Sequence, residues 1–163
     1  MSIGETILAK IGTDLLNFTV ANDYTITLDA NNIVEGAETL ESFNSESLAC
    51  YGLDQEGLTE INSSGNIIKS ELLAYIDLFA KATSSVPVSR LTEKLIEDLK
   101  GFVYGYASKG ANKLNLKSVG NKTFTVTDWG VNGQIFRNID YGQKKIWVGI
   151  TINIFFNQFP ERL

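Results

Sequence analysis

Histidine is absent from this 163-residue chain, and cysteine occurs once, at Cys50. Without histidine there is no Ser-His-Asp or Cys-His nucleophile and no His-containing zinc site. A single thiol excludes an intrachain disulfide and a cysteine metal cluster, and it suits a reducing cytoplasm. Chemistry would have to run on carboxylates, lysine, tyrosine or backbone groups. Two prolines are too few for a proline-rich linker. Positive charge is also short: 14 basic against 19 acidic residues gives a net charge of −5. That balance argues against a general or sequence-specific nucleic-acid binder, which needs a basic face. Lys109, Lys113, Lys117 and Lys122 read as solvated surface rather than as a binding patch. No run approaches the roughly 18 apolar residues of a membrane helix, so no membrane partner is expected. The first residues, MSIGE, carry no basic region followed by an apolar one, so no signal peptide is expected.

Several motifs are missing or false. No G-x-G-x-x-G follows a strand, and no D-x-D-x-D-G calcium loop occurs. The segment Gly120, Asn121, Lys122, Thr123 lacks the glycine directly before lysine that a phosphate loop requires. No cofactor, metal or catalytic residue is therefore expected. Glu97 and Asp98 are adjacent carboxylates, but the spacing places them on the wet face of a helix.

What is present is a pattern of elements. Ser2 and Glu5 have the spacing of a capping box, and Ile3, Ile7, Leu8, Ile11 and Leu15 follow at helical intervals, which predicts a helix over 3–17. Tyr24, Ile26 and Leu28 alternate with threonines, as in a half-buried strand. Residues 29–66 are acidic and rich in Asn, Ser and Gly; they predict one or two short strands, with 48–53 a candidate, and a mobile loop. Residues 67–82 alternate over a long run and predict a strand. Residues 88–107 form the clearest helix, with Leu91, Leu95, Leu99, Phe102, Val103 and Tyr106 on one stripe. The remainder reads as sheet: 114–117, 123–127, a glycine-containing loop at 131–133, then a hairpin whose return strand alternates from Ile146 to Phe156. The sum is one α+β domain over 1–163: a mostly antiparallel sheet, two amphipathic helices packed on one face, and a C-terminal β-hairpin.

Trp147 and Phe155 lie on the less apolar face of the last strand. If helices cover one face of the sheet, these two side chains are left for another subunit. Trp129, beside Gly130, reads either as an exposed anchor for a partner or as a cover for one end of the core. Arg137, on the same hairpin as Trp147, completes the candidate interface.

Two stretches carry a family resemblance. One is a strand running into a helix: SELLAYIDLFA at 70–80, a break at Thr83, Ser84 and Ser85, then RLTEKL at 90–95. The other is the closing hairpin, NIDYG at 138–142 followed by IWVGITINIF at 146–155. With the order of elements, these resemble the tail terminator (tail completion) proteins of long-tailed bacteriophages. The resemblance implies a homo-oligomeric ring, typically a hexamer, that caps the tail tube and joins it to the head connector. It implies a virion protein of the tail or neck, assembled in the host cytoplasm, whose partners are the tube and connector proteins. Two other classes stay open: a cytoplasmic ligand- or partner-binding α+β domain, and a carboxylate-based hydrolase, which needs two acids about 5–10 Å apart in a cleft.

Overall fold

The computed structural model describes residues 1–106 and 109–160, with backbone alone at 55–58, 62 and 64. The first element is α1, Ile3–Leu15. Its start follows from the capping box: the Ser2 hydroxyl accepts from the Glu5 amide and the Glu5 carboxylate accepts from the Ser2 amide. Then come β1, Ile33–Glu35, β2, Ser47–Ser64, and β3, Ile67–Lys81, the last two joined by a turn at Gly65 and Asn66. The second helix, α2, is Val88–Tyr104; β4, Phe124–Asp140, and β5, Lys145–Gln158, close the chain. The spatial order is β1-β2-β3-β5-β4. β1 runs parallel to β2 and every other pairing is antiparallel. Both helices pack on one face, α1 against β1 and β2 and α2 against β4 and β5. This is the α+β fold that the sequence pattern predicts.

The main core lies between sheet and helices. β3 contributes Leu72, Ala74, Ile76 and Leu78, and β5 contributes alternate residues from Ile146 to Phe156. The helices supply Ile7, Ile11, Leu15, Leu95, Leu99 and Phe102. α2 ends where Gly105 takes a left-handed conformation, φ 73°, which a residue with a Cβ resists. The helix therefore stops short of the 107 that the stripe predicts, and residue 107 itself lies outside the described residues. Tyr106, placed on the buried stripe by spacing, is half exposed beyond the helix end.

Four further expectations are corrected. Residues 24–28 are not a strand, although Tyr24 and Leu28 are buried. Their amides bond elsewhere: Thr25 N–H to Asp98 Oδ2 at 2.7 Å and Leu28 N–H to the Phe18 carbonyl at 2.8 Å. Residues 114–117 likewise form no ladder; Leu114 and Leu116 plug the core from a loop, with Leu114 N–H on the Phe102 carbonyl. Residues 131–133 are strand, not loop: β4 runs through them and absorbs extra residues as register shifts between Val126 and Asp128 and between Asn132 and Phe136. The acidic stretch 29–66 holds β1 and the 18-residue β2, far more strand than its composition suggests.

Asp98 is a fifth correction. Glu97 is exposed on the wet side of α2, but Asp98 is buried. Its carboxylate accepts the Thr25 amide and sits 3.7 Å from Lys109 Nζ. Burial pushes its pKa up, and these partners push it back down. Asp14 plays the matching part on α1, accepting from the Asn115 amide at 2.9 Å and from Lys10 at 2.7 Å. Each acid ties a helix to a loop distant in sequence.

Candidate functional site

The second face of the sheet, away from the helices, holds the candidate side chains that alternation points to. The register lays it out in rows. Leu48, Phe79, Trp147 and Asn138 form the first row across β2, β3, β5 and β4; Cys50, Asp77, Gly149 and Phe136 form the second. Gly52, Tyr75, Thr151 and Asn132 follow, then Leu73 beside Asn153, then Glu71 beside Phe155 and Asp128.

Residues 36–46, joining the parallel pair β1 and β2, cross this face and cover its first rows. Phe43 packs against Phe79 with ring centroids 5.5 Å apart, Phe79 stacks on Trp147 at 5.1 Å, and Phe136 meets Trp147 edge-on at 4.7 Å. Leu40, Phe43, Cys50 and Phe79 are buried there, with Leu48 and Trp147 packed against them. Lys145 Nζ donates to the Glu41 carbonyl at 3.3 Å and pins the strap to β5. The result is a second, smaller core. Sequence reasoning missed it; the available signal was Leu40 and Phe43 as apolar anchors in an acidic stretch, with Phe79 and Trp147 interrupting the polar sides of their strands.

Asp77 sits beneath this core. Gly149 has no side chain, and the Asp77 carboxylate fills the space where a Cβ would stand. Among the described residues no cation lies within ion-pair distance of Asp77. Burial raises its pKa from 3.8 to about 6. The Trp147 indole N–H is near enough to favour the charged carboxylate, yet it is buried without a hydrogen bond of full geometry. Burial, with Asp77 and Glu38 nearby, pushes the Cys50 thiol up to about 11. Cys50 is therefore held as an unreactive thiol, because the thiolate is the nucleophile. Burial, then the charge of Asp77, also raises Tyr75. These groups share a site in which the charged forms are disfavoured.

Among the described residues, no helix or strand lies over the remaining rows. Leu73, Tyr75 and Phe155 are half-buried, interleaved with Thr151, Asn153 and Glu71, and the Asn153 amide donates to the Glu71 carboxylate. This surface is partly apolar and partly polar.

The four expected interface residues thus separate. Phe155 lies on the open part of the second face. Trp147 lies on that face but under the 36–46 strap, in the small core. Trp129 is on the helix side, packed against the main core, with its indole N–H 3.4 Å from the Val103 carbonyl near the end of α2. That is the core-covering reading of this residue. Arg137 is also on the helix side, 2.8 Å from Glu93 of α2 in an exposed ion pair. Of the lysines weighed as a patch, Lys109 lies along Gly101 and over the Tyr24 ring, and the Lys113 stem lies along Gly105; Lys117 and Lys122 are exposed. Among the described residues no group of three or more Cys, Asp or Glu side chains is arranged to hold a metal, and no helix is long and apolar enough to cross a membrane.

Two open grooves flank the sheet. One, of about 860 Å³, lies between the strap and the β4–β5 turn, against Leu40, Tyr141 and Trp147. The other, of about 750 Å³, lies between α2 and β4, against Tyr104, Tyr106 and Val131. No protein-family model matches the chain, and no curated protein matches it.

Proposed function

We propose that the chain is a structural subunit of a long-tailed bacteriophage, of the tail-terminator kind, acting by contact rather than by catalysis. In this reading, copies form a ring on the tail tube, stop its growth and offer a surface to the head connector. A head-to-tail interface closes into a ring when its rotation divides a full turn, and a closed ring ends polymerisation when its top no longer matches the tube subunit. The observation that carries the reading is the open part of the second sheet face, where no described element covers the half-buried Leu73, Tyr75 and Phe155. Partly apolar strand surface of this kind is suited to burial against another protein. The two local features behind the resemblance also support it: β3 leads into α2 across a short break, and β4 and β5 close the chain as a hairpin.

The test pairs two substitutions in an assembly assay. The purified chain is added to polymerising tail tube protein, and tube lengths and capped ends are scored by electron microscopy. Wild type caps tubes. Phe155→Ala keeps its unfolding midpoint but caps poorly, whereas Trp147→Ala loses stability, by about 3–5 kcal/mol for an aromatic cut from a packed site. Tubes whose lengths are unchanged by wild-type protein refute the proposed role, and full capping by Phe155→Ala refutes the assigned surface.

A further inference from the structure

The two edges of the sheet are chemically unlike, and each is unfinished. β1 pairs with β2 at Ala49, Cys50 and Tyr51, and among the described residues β2 has no outer partner strand beyond them. β4 is the opposite edge. Some of the large apolar side chains left in water lie at these two ends, Val34, Leu53 and Ile61 on β1 and β2 and Tyr104 and Tyr106 beside β4; others, such as Val20, Ile67 and Tyr141, lie elsewhere. Charge divides the same way. Between Lys10 and Lys69 the chain has no basic residue, and Glu35, Asp54 and Glu60 lie on the β1–β2 edge. At the other edge, the charged residues lining the groove between α2 and β4, among the described residues, are Lys100 and Arg137, beside the stacked rings of Tyr104 and Tyr106. The Arg137–Glu93 pair is more than half exposed on both sides, so it holds Arg137 only weakly.

From this we infer that the acidic β1–β2 edge of one copy docks against the basic, tyrosine-lined α2–β4 groove of the next. Strand direction agrees. β2, β3, β5 and β4 alternate, so a second copy arriving in the same orientation presents β2 antiparallel to β4. The contact runs through side chains rather than through a continued ladder. The Trp129 amide is already bonded to Asp128, the Val131 amide to the Tyr104 hydroxyl, and bulges interrupt both strands. A contact between two different patches is heterologous and propagates head to tail. It also leaves the open sheet face free for a different partner. The inference rests on the reading of the chain as a ring-forming subunit and names the surfaces through which copies meet.

A charge exchange tests it. One variant carries Lys100→Glu with Arg137→Glu, the other Glu35→Lys with Glu60→Lys. Each is checked for wild-type circular dichroism and melting, then followed by sedimentation velocity at low and high ionic strength. Wild type is expected to self-associate at low salt and to weaken as salt screens the charges. Each variant alone has two like-charged edges and stays monomeric. Their equimolar mixture restores both contacts and assembles with the two variants alternating. Wild type that stays monomeric at low salt, variants that associate as well as wild type, or a folded mixture that fails to assemble overturns the inference. Tube capping separates this from the functional reading. Charge-exchange rescue without capping keeps the edges and rejects the tail role; capping equally strong in all variants does the reverse.

Discussion

Asp77→Asn removes a charge from beneath the small core while keeping the side chain's shape. In the folded chain the carboxyl has a pKa of about 6, raised by burial from 3.8. Below about pH 4 the group is protonated in both states, and ionisation adds nothing. Between about 4 and 6 the folded chain keeps a proton that the unfolded chain releases, so stability falls as pH rises. Above about 6 both states are ionised and the folded state carries the full cost of a buried, unpaired carboxylate. At ~1.4 kcal/mol per pH unit, the interval from 3.8 to about 6 corresponds to about 3 kcal/mol. Asparagine cannot ionise, and its carbonyl remains available to the Trp147 indole. Urea unfolding at several pH values between about 4 and 8 measures the difference. The expected result is a variant more stable than wild type by about 2–3 kcal/mol near neutrality, with the gain vanishing toward pH 4. Parallel pH profiles for the two proteins, or a variant less stable than wild type at pH 7, would refute the reasoning about the buried carboxylate.

Three other perturbations have defined outcomes. Leu95→Ala, fully buried on α2, is expected to cost about 2–5 kcal/mol in a denaturant titration, whereas Glu97→Ala on the exposed side changes little. Gly149→Ala puts a methyl group where the Asp77 carboxylate lies, so it is expected to lower stability by about 1–3 kcal/mol, and the double change with Asp77→Ala to recover part of that loss. Phe43→Ala removes the strap's anchor on Phe79; limited proteolysis should then cut first within 36–46, while far-ultraviolet circular dichroism keeps its sheet signal.

The parts of the fold that were legible were those in which local pattern and tertiary burial agree. The Ser2 and Glu5 box, the α2 stripe and the β3 and β5 alternations each make their own contacts with the core, so their period is written in the sequence. Residues 24–28 alternate for the same reason, but burial alone does not make a strand: their amides are claimed by Asp98 and by Phe18, and no local signal shows that. β2 was obscured because much of it is polar edge strand, displaced by bulges between Leu53 and Leu58 and between Glu60 and Asn62, so no period of two survives. At the candidate site, alternation placed Phe155 and Trp147 on the second face. It carried no information about the strap, since residues 36–46 cross the sheet by loop geometry and have no repeat to read. Trp129 packs toward the core and Arg137 pairs with Glu93 on the helix side; the side each faces depends on the β4 register shifts, which no local pattern shows.

The seam between β3 and β5 also governs the order of folding. Hairpins β2–β3 and β4–β5 pair residues close in the chain, but the seam joins residues as distant as Ile68 and Gln158. Local pairings form early, and distant ones wait for the loop between them to close. On the helix-side face both strands of the seam are Leu- and Ile-rich, so each hairpin exposes an adhesive central edge until it finds the other. During synthesis at ~5–20 residues per second, β3 waits roughly 4–15 s from Lys81 until Gln158 has been made. In that interval α1 covers one face of the first hairpin, but nothing occupies the hydrogen-bonding edge that β5 will take. Overproduction at high temperature is therefore expected to trap the chain as aggregates joined through β3, whatever the stability of the finished fold.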